Sequence, residues 1–87
     1  MSRNRRWTED EARRVLELYG RIQFGQFHQR NPEVISVARE IGRTPSSVAM
    51  KLCNFASLDP DITGTGRIGL TGASALDRRI WRERKAG

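Results

Sequence analysis

The sequence predicts an all-α fold, and three observations lead to that prediction. Apolar residues recur at helical spacing in four separate stretches. Capping residues precede these stretches, and proline follows the cap in two of them. A glycine separates the two middle stretches, as is typical of a tight turn between helices. With 87 residues, 37% of them hydrophobic, the chain is long enough for one domain and too short for two.

The first helix is predicted from Thr8 to Tyr19 or Ile22, after a flexible basic arm formed by residues 1–6. Thr8 and Glu11 have the spacing of a capping box, which satisfies two backbone N–H groups at the helix start. Acidic residues in the first turn also suit the positive end of the helix dipole. The i, i+3, i+4, i+7 pattern predicts an inward face of Ala12, Val15, Leu16, Tyr19 and Ile22.

A loop and a short second helix are predicted next. Residues 23–32 contain glycine and proline and break the helical period, so Phe24 and Phe27 are expected to pin a connecting loop. Asn31 is the expected cap of the second helix, with Pro32 at its first position. The inward face predicted for this helix, which stops at Gly42, is Val34, Val37, Ala38 and Ile41.

The third helix is predicted to begin after Thr44, which caps it. Pro45 occupies its first position, and its inward stripe is Val48, Leu52 and Phe55. The helix-turn-helix core predicted from these three helices spans residues 7–56.

Irregular chain and a last helix are predicted after this core. Four glycines and a proline favour a glycine-rich loop over residues 57–73, with a small hairpin around Ile68 and Leu70 as the alternative. Ser74 and Asp77 have capping-box spacing and predict a C-terminal helix over residues 74–85. Its inward residues are expected to be Leu76 and Ile80.

The charge balance favours an anionic partner, and nucleic acid first. Lysines and arginines number 16 against 10 acidic residues, a formal net charge of +6. A single cysteine and a single histidine cannot build a four-ligand zinc site, so no metal or cofactor is expected. A domain of this size also has no room for a deep small-molecule cavity. No apolar run has the length of a membrane span or a signal peptide, which favours a cytoplasmic protein.

The stretch VISVAREIGRTPSSVAMKL matches the helix-turn-helix pattern, and its residues have mechanical reasons. Ala38 is small where the third helix crosses the second. Gly42 supplies the left-handed backbone conformation of the turn. Val48 fills the gap between the two helices. Arg43 departs from the pattern, since an apolar residue is commoner at its position.

In such a unit the third helix enters the major groove of double-stranded DNA. Asn54 is a candidate adenine reader, Met50 a candidate contact to the thymine methyl group, and Lys51, on the helix flank, a candidate contact to phosphate or guanine. The basic arm is a candidate for the minor groove. The predicted DNA-binding residues are Arg43, Thr44, Ser46, Ser47, Met50, Lys51 and Asn54, with Arg5 and Arg6 of the arm.

Other interpretations of the same residues remain open at this point. The third helix can instead dock a partner protein subunit, and Met50 can pack on the loop over residues 57–73. The two serines also suit a first helical turn without any ligand. Cys53 is read as a small apolar filler, and His28 as a structural hydrogen-bonding residue. The arginines near the two ends can form a solvated surface.

The runs FGQFHQRNPEVISVAREIGRTPSSVAMKLCNFASLDP and GLTGASALDRRIWRE resemble the N-terminal domain that precedes HNH nuclease domains in bacterial restriction-type endonucleases. The opening RRWTEDE is similar to the start of Myb/SANT-type three-helix domains. The first resemblance implies a DNA-recognition module of a defence nuclease, with an HNH nuclease domain or subunit as partner. Because the HNH site needs at least two histidines and a metal, the chain is expected to be non-catalytic, either an excised domain or a stand-alone relative.

Overall fold

A computed structural model describes residues 6–63 and 73–86 and has only helices and turns within those ranges. Its elements are α1 (Glu9–Tyr19), a 3-10 turn (Phe24–Gln26), α2 (Pro32–Ile41), α3 (Pro45–Ala56), α4 (Pro60–Thr63) and α5 (Ala75–Ala86). The all-α prediction is confirmed. No helix in this part of the chain is both long and apolar enough to cross a membrane.

Side chains cap α1, α2 and α3 at their N-termini as the sequence predicts. The Glu11 backbone N–H donates to the Thr8 hydroxyl at 3.2 Å, and the Thr8 N–H donates to the Glu11 carboxylate at 3.1 Å. The Asn31 side chain accepts from the N–H of Glu33, and the Thr44 hydroxyl accepts from that of Ser47. These bonds satisfy backbone donors that have no partner inside a helix, so each helix start is fixed by local chemistry.

The turn between α2 and α3 has the predicted left-handed glycine. Gly42 has a φ of 73°, a conformation that a residue with a Cβ adopts only with strain. The next N–H, that of Arg43, returns to the Ala38 carbonyl at 2.9 Å and closes the end of α2. Ala38 and Val48 are both buried, which confirms their predicted places between the two helices.

Helices α1, α2, α3 and α5 contribute to one apolar core. Tyr19 and Trp81 pack within it with ring centroids 5.5 Å apart, and Phe27 and Phe55 pack beside them. Leu18 is also fully buried although the sequence pattern omitted it. It lies about 60° from Val15 on the edge of α1 that faces α2, so the apolar face of α1 is wider than the pattern indicated.

The region predicted as irregular, residues 57–73, contains the single helical turn α4. Asp59 caps this turn by accepting from the Asp61 N–H at 2.9 Å, and it also accepts from the Tyr19 hydroxyl at 2.5 Å. Burial, and secondarily this hydrogen bond, raises the pKa of Tyr19. The prediction of irregular chain is therefore wrong for Pro60–Thr63. The alternative hairpin around Ile68 and Leu70 lies outside the described residues.

The C-terminal helix α5 begins and ends within one residue of its predicted limits. Ser74 and Asp77 form the predicted capping box, with the Asp77 N–H donating to the Ser74 hydroxyl at 3.2 Å and the Ser74 N–H to the Asp77 carboxylate at 3.1 Å. Ile80 is fully buried, as predicted, and Leu76 is half-buried. The helix packs against both α1 and α3, and this contact decides which residues of α3 stay accessible.

Candidate nucleic-acid interface

The outward face of α3 carries a row of uncharged side chains. Ser46, Met50 and Asn54 are four residues apart and therefore follow one another along the helix; we call them the reading row. Met50 is 58% exposed, the Ser46 side chain is exposed and Asn54 is half-buried. Most of the Met50 side chain is therefore left uncovered by the described residues. The alternative that it packs on the loop over residues 57–73 stays open, because residues 64–72 lie outside the described part of the chain.

Lys51 does not lie on an accessible flank of α3, and this prediction is wrong. Its side chain is buried beneath α5, where the ammonium donates to both carboxylate oxygens of Asp77 at 2.9 and 3.1 Å. The ammonium also lies 4.7 Å from the ring centroid of Trp7. Helical spacing correctly places Lys51 at the edge of the apolar stripe. It cannot show that α5 packs over that edge and brings a carboxylate to it.

Arg43 is likewise engaged inside the fold instead of being available to phosphate. Its guanidinium donates to the Glu11 carboxylate at 3.1 and 2.9 Å and to the Arg6 carbonyl at 2.8 Å. It also stacks on Trp7 at 4.1 Å from the ring centroid, and the side chain is only 9% exposed. The position that usually holds an apolar residue is therefore still interior. The arginine fits there because Glu11 neutralises its charge and Trp7 covers its flat face.

The hydroxyl groups near the start of α3 differ in accessibility. The Ser47 hydroxyl is buried without a hydrogen-bond partner among the described residues, so the prediction that it contacts DNA is inconsistent with its position. Thr44 and Ser46 are exposed, and their hydroxyls lie 3.3 Å apart. Contacts from Thr44, Ser46, Met50 and Asn54 to DNA stay predictions, and their side chains are accessible for them.

Arg6, the one described residue of the predicted basic arm, lies close to the residue before the α3 cap. Arg6 is exposed, and its carbonyl is held by Arg43, the residue before the α3 cap. Arg5 lies outside the described residues. Trp7, which follows the arm, is held between the Arg43 and Lys51 cations. Sequence reasoning gave Trp7 no specific role, although an aromatic residue next to a basic segment is a signal for such contacts.

Three arginines on the helices that pack against α3 are exposed and have no ion-pair partner among the described residues: Arg39 on α2, and Arg78 and Arg82 on α5. Asp77 and Trp81 of α5 face α3, where they contact Lys51 and Phe55. Arg78 and Arg82 follow them by one residue, about 100° further round the helix, on the outer side of α5 opposite the buried Ile80. Because Asp77 is buried, helical spacing places Arg78 and Arg82 on an exposed side of α5.

Arg39 is the corresponding cation on α2, and it was absent from the predicted site. The neighbouring Glu40 accepts from Arg14 of α1 at 2.7 Å, which lowers the pKa of Glu40. Because Arg39 lies about 100° from Glu40, it is on the side of α2 away from α1. Arg39, Arg78 and Arg82 are called the flanking arginines below.

The remaining candidate groups are Cys53 on α3 and His28 on the loop before α2. Among the described residues no cluster of three potential metal ligands occurs. Burial raises the pKa of the half-buried Cys53 thiol, so it disfavours the thiolate that nucleophilic or metal chemistry needs. The His28 side chain is exposed on the loop before α2.

Comparison with known proteins adds no relative to this description. No protein-family model, curated protein or solved structure matches the chain. The resemblance to the domain that precedes HNH nuclease domains therefore stays a prediction.

Proposed function

We propose that this protein binds double-stranded DNA by inserting α3 into the major groove. The observation that carries the proposal is the arrangement of charge around α3. The reading row is uncharged and exposed at Ser46 and Met50 and half-buried at Asn54, while the flanking arginines on α2 and α5 have no ion-pair partner in the described part of the chain. An uncharged helix face with cations at its sides suits a surface whose bases are lined on both sides by phosphates.

The dimensions and chemistry of the two partners agree. The major groove is about 12 Å wide and admits one α-helix, whose diameter with side chains is about 10–12 Å. In such a complex, phosphate contacts fix the position of the protein, and contacts to base edges discriminate between sequences. The flanking arginines and Arg6 take the first role in our proposal, and the reading row takes the second.

The two buried cations have a structural role in this proposal. Lys51 and Arg43 hold α5 and the N-terminal segment to α3 through Asp77 and Glu11. To bind phosphate, either cation would have to leave a buried carboxylate without its partner, which is costly. The salt dependence of DNA binding should therefore come from the flanking arginines and the arm, and not from cations of α3.

Salt titration of DNA binding tests the proposal directly. The affinity for a fluorescein-labelled random-sequence duplex is measured by anisotropy between about 50 and 200 mM salt. We expect log K to fall linearly with log salt. Replacing Arg78 or Arg82 by alanine should weaken binding to every sequence. Each phosphate contact that is lost should make the slope of log K against log salt shallower by about 0.9.

Arg79→Ala is the matched control on the same helix, because Arg79 donates to Glu9 of α1 at 2.8 Å and lies on the side of α5 that faces α1. It should leave the slope unchanged. The proposal is wrong if no duplex binds, or if binding is insensitive to salt and to both flanking substitutions.

The alternative is a protein-interaction module that docks a partner subunit through the same face of α3. The exposed Met50 favours this alternative, because a large apolar side chain on a helix surface is a common docking contact. An interface centred on Met50 would respond weakly to salt, unlike phosphate contacts. Binding of a partner protein that survives high salt, without any DNA binding, would therefore support the alternative.

The wider setting follows from the family resemblance and is part of the proposal. In that setting the protein is a non-catalytic recognition module of a bacterial cytoplasmic defence system, and it delivers an HNH nuclease domain or subunit to DNA. Incubation of the chain with plasmid DNA and Mg²⁺ should produce no nicking. Nicking that a chelator abolishes would contradict the non-catalytic assignment.

A further inference from the structure

We infer that the reading row selects A·T base pairs, an inference that rests on the proposed DNA binding. The row offers a hydroxyl, a thioether and a carboxamide and carries no charge. Guanine is read most often by the hydrogen-bond donors of arginine and lysine side chains, and cytosine by carboxylates. None of these groups projects from the exposed face of α3, so the row has no strong partner for a G·C pair.

The neighbouring cations do not supply the missing guanine reader. Lys51 is only 5% exposed and its ammonium is bound to both oxygens of Asp77. Arg43, which precedes the α3 cap, is held by Glu11. The flanking arginines belong to α2 and α5, at the sides of α3, where phosphates and not base edges are the nearest DNA groups.

The groups that the row does offer match adenine and thymine. A carboxamide such as that of Asn54 makes two hydrogen bonds to adenine, accepting from N6 and donating to N7. The flexible, apolar side chain of Met50 fits the C5 methyl group of thymine. The Asn54 side chain has no hydrogen-bond partner among the described residues, so its donor and acceptor are available.

The helix geometry also specifies a spacing. Met50 and Asn54 are separated by about 6 Å along α3, since each residue rises about 1.5 Å. Successive base pairs are about 3.4 Å apart along one strand. A helix lying along the groove therefore places Met50 and Asn54 over base pairs about two steps apart, so a thymine and an adenine at that separation form the inferred target.

Base analogues test each contact separately from DNA shape. Duplexes of one length are compared by anisotropy: one with A·T pairs in its centre, one with G·C pairs, one with deoxyuridine in place of thymidine, and one with 7-deazaadenine in place of adenine. We expect the A·T duplex to bind about 5- to 100-fold more tightly than the G·C duplex. Deoxyuridine should weaken binding about 4-fold, the equivalent of one buried methyl group.

Two surface variants connect these losses to particular residues. Met50→Ala should abolish the difference between thymidine and deoxyuridine and keep the effect of 7-deazaadenine. Asn54→Ala should abolish the effect of 7-deazaadenine and keep the difference between thymidine and deoxyuridine. Ser36→Ala, at an exposed position of α2 outside the reading row, is the control and should behave as the unchanged protein in every duplex. A thermal unfolding curve for each variant establishes that it is folded.

The outcomes distinguish failure of the A·T inference from failure of the proposed DNA binding. If no duplex shows salt-dependent binding, DNA binding itself is wrong. Salt-dependent binding with equal affinity for A·T and G·C duplexes overturns the A·T inference and leaves DNA binding intact. An A·T preference that persists with both base analogues and in both variants comes from DNA shape, and it overturns the role of the reading row.

Discussion

The ion pairs around Trp7 and those between α1 and α5 use the same residue types in different surroundings. In the Lys51–Asp77 pair the side chains are 6% and 0% exposed, whereas in the Arg79–Glu9 pair they are 52% and 43% exposed. Glu9 also pairs with Arg13, which in turn contacts Glu83. The buried pairs join Lys51 in the middle of α3 to α5, and Arg43 before the α3 cap to α1, while the exposed pairs connect the outer surfaces of two helices.

This difference determines how each cation can be used. A buried charge cannot leave its partner without a large desolvation penalty, so Lys51 and Arg43 are committed to the fold. An exposed pair is screened by salt and contributes little, so its cation can exchange partners easily. The formal charge of +6 therefore favours an anionic partner for the molecule as a whole but does not identify the residues that would contact such a partner.

The largest effect is expected from Asp77→Ala. This change leaves the Lys51 ammonium buried without a carboxylate and also removes the acceptor for the Ser74 N–H at the start of α5. Breaking a buried pair from one side costs about 3–5 kcal/mol. That is a large part of the roughly 5–15 kcal/mol stability of a typical domain. Urea unfolding followed by circular dichroism measures the loss.

The double variant Lys51→Met with Asp77→Asn is the matched control for this prediction. It removes both charges and keeps a side-chain oxygen for the α5 cap, so it should recover most of the lost stability. If Asp77→Ala unfolds at nearly the same urea concentration as the unchanged protein, the Lys51–Asp77 pair does not have the structural role given to it here.

An intermediate effect is expected from Glu11→Gln. Glutamine keeps an oxygen that can accept from the Thr8 N–H, but it removes the negative charge opposite Arg43. Hydrogen bonds to charged groups contribute about 1.5–3 kcal/mol, and the unfolding free energy should fall by an amount in that range. Thr8→Ala removes the other half of the same capping box and should cost about 1 kcal/mol. A smaller loss for Glu11→Gln than for Thr8→Ala would mean that the Arg43 pair behaves like an exposed one.

The smallest effect is expected from Arg79→Ala in the exposed network. Its unfolding midpoint should be indistinguishable from that of the unchanged protein in high salt and differ at most slightly in low salt. A hydrogen bond from Arg13, and secondarily one from Arg79, lowers the pKa of Glu9 below its ordinary value of 4.5.

Because the pKa of Glu9 is lower in the folded protein than in the unfolded chain, the stabilisation that ionised Glu9 contributes is present above pH 4.5. This stabilisation disappears as the pH falls through the pKa that Glu9 has in the folded protein. Any difference in unfolding midpoint between Arg79→Ala and the unchanged protein should therefore become smaller at acidic pH. A large, salt-independent difference in unfolding midpoint at neutral pH would mean that the exposed Arg79–Glu9 pair behaves like a buried pair.

Local signals allowed much of the fold to be predicted. The Thr8–Glu11 and Ser74–Asp77 capping boxes, the Asn31 cap and the Gly42 turn each depend on residues within a few positions of one another. The limits of the helices follow from these groups because they satisfy or redirect the backbone at each helix end. Leu18 shows where a pattern of strict spacing underestimates a helix that is covered on two sides.

The candidate site was predicted less completely because accessibility depends on tertiary contacts. Ser46, Met50 and Asn54 were placed on the outer side of α3 by helical spacing, and their side chains are exposed or half-buried. Lys51 and Arg43 were assigned to the same surface, but α5 and the segment around Trp7 cover them. Their partners Asp77 and Glu11 are 26 and 32 residues away in sequence, a separation that no local pattern detects.

The amino-acid sequence by itself determined the helices, their caps, the turn at Gly42 and the excess of positive charge, because each is a property of neighbouring residues or of simple composition. Only the tertiary structure decided which cations are neutralised inside the fold and which remain on the surface beside α3. The physical reason is that burial and ion pairing depend on which helices meet. The identity of an arginine or lysine does not reveal whether a carboxylate from a distant helix has already bound it.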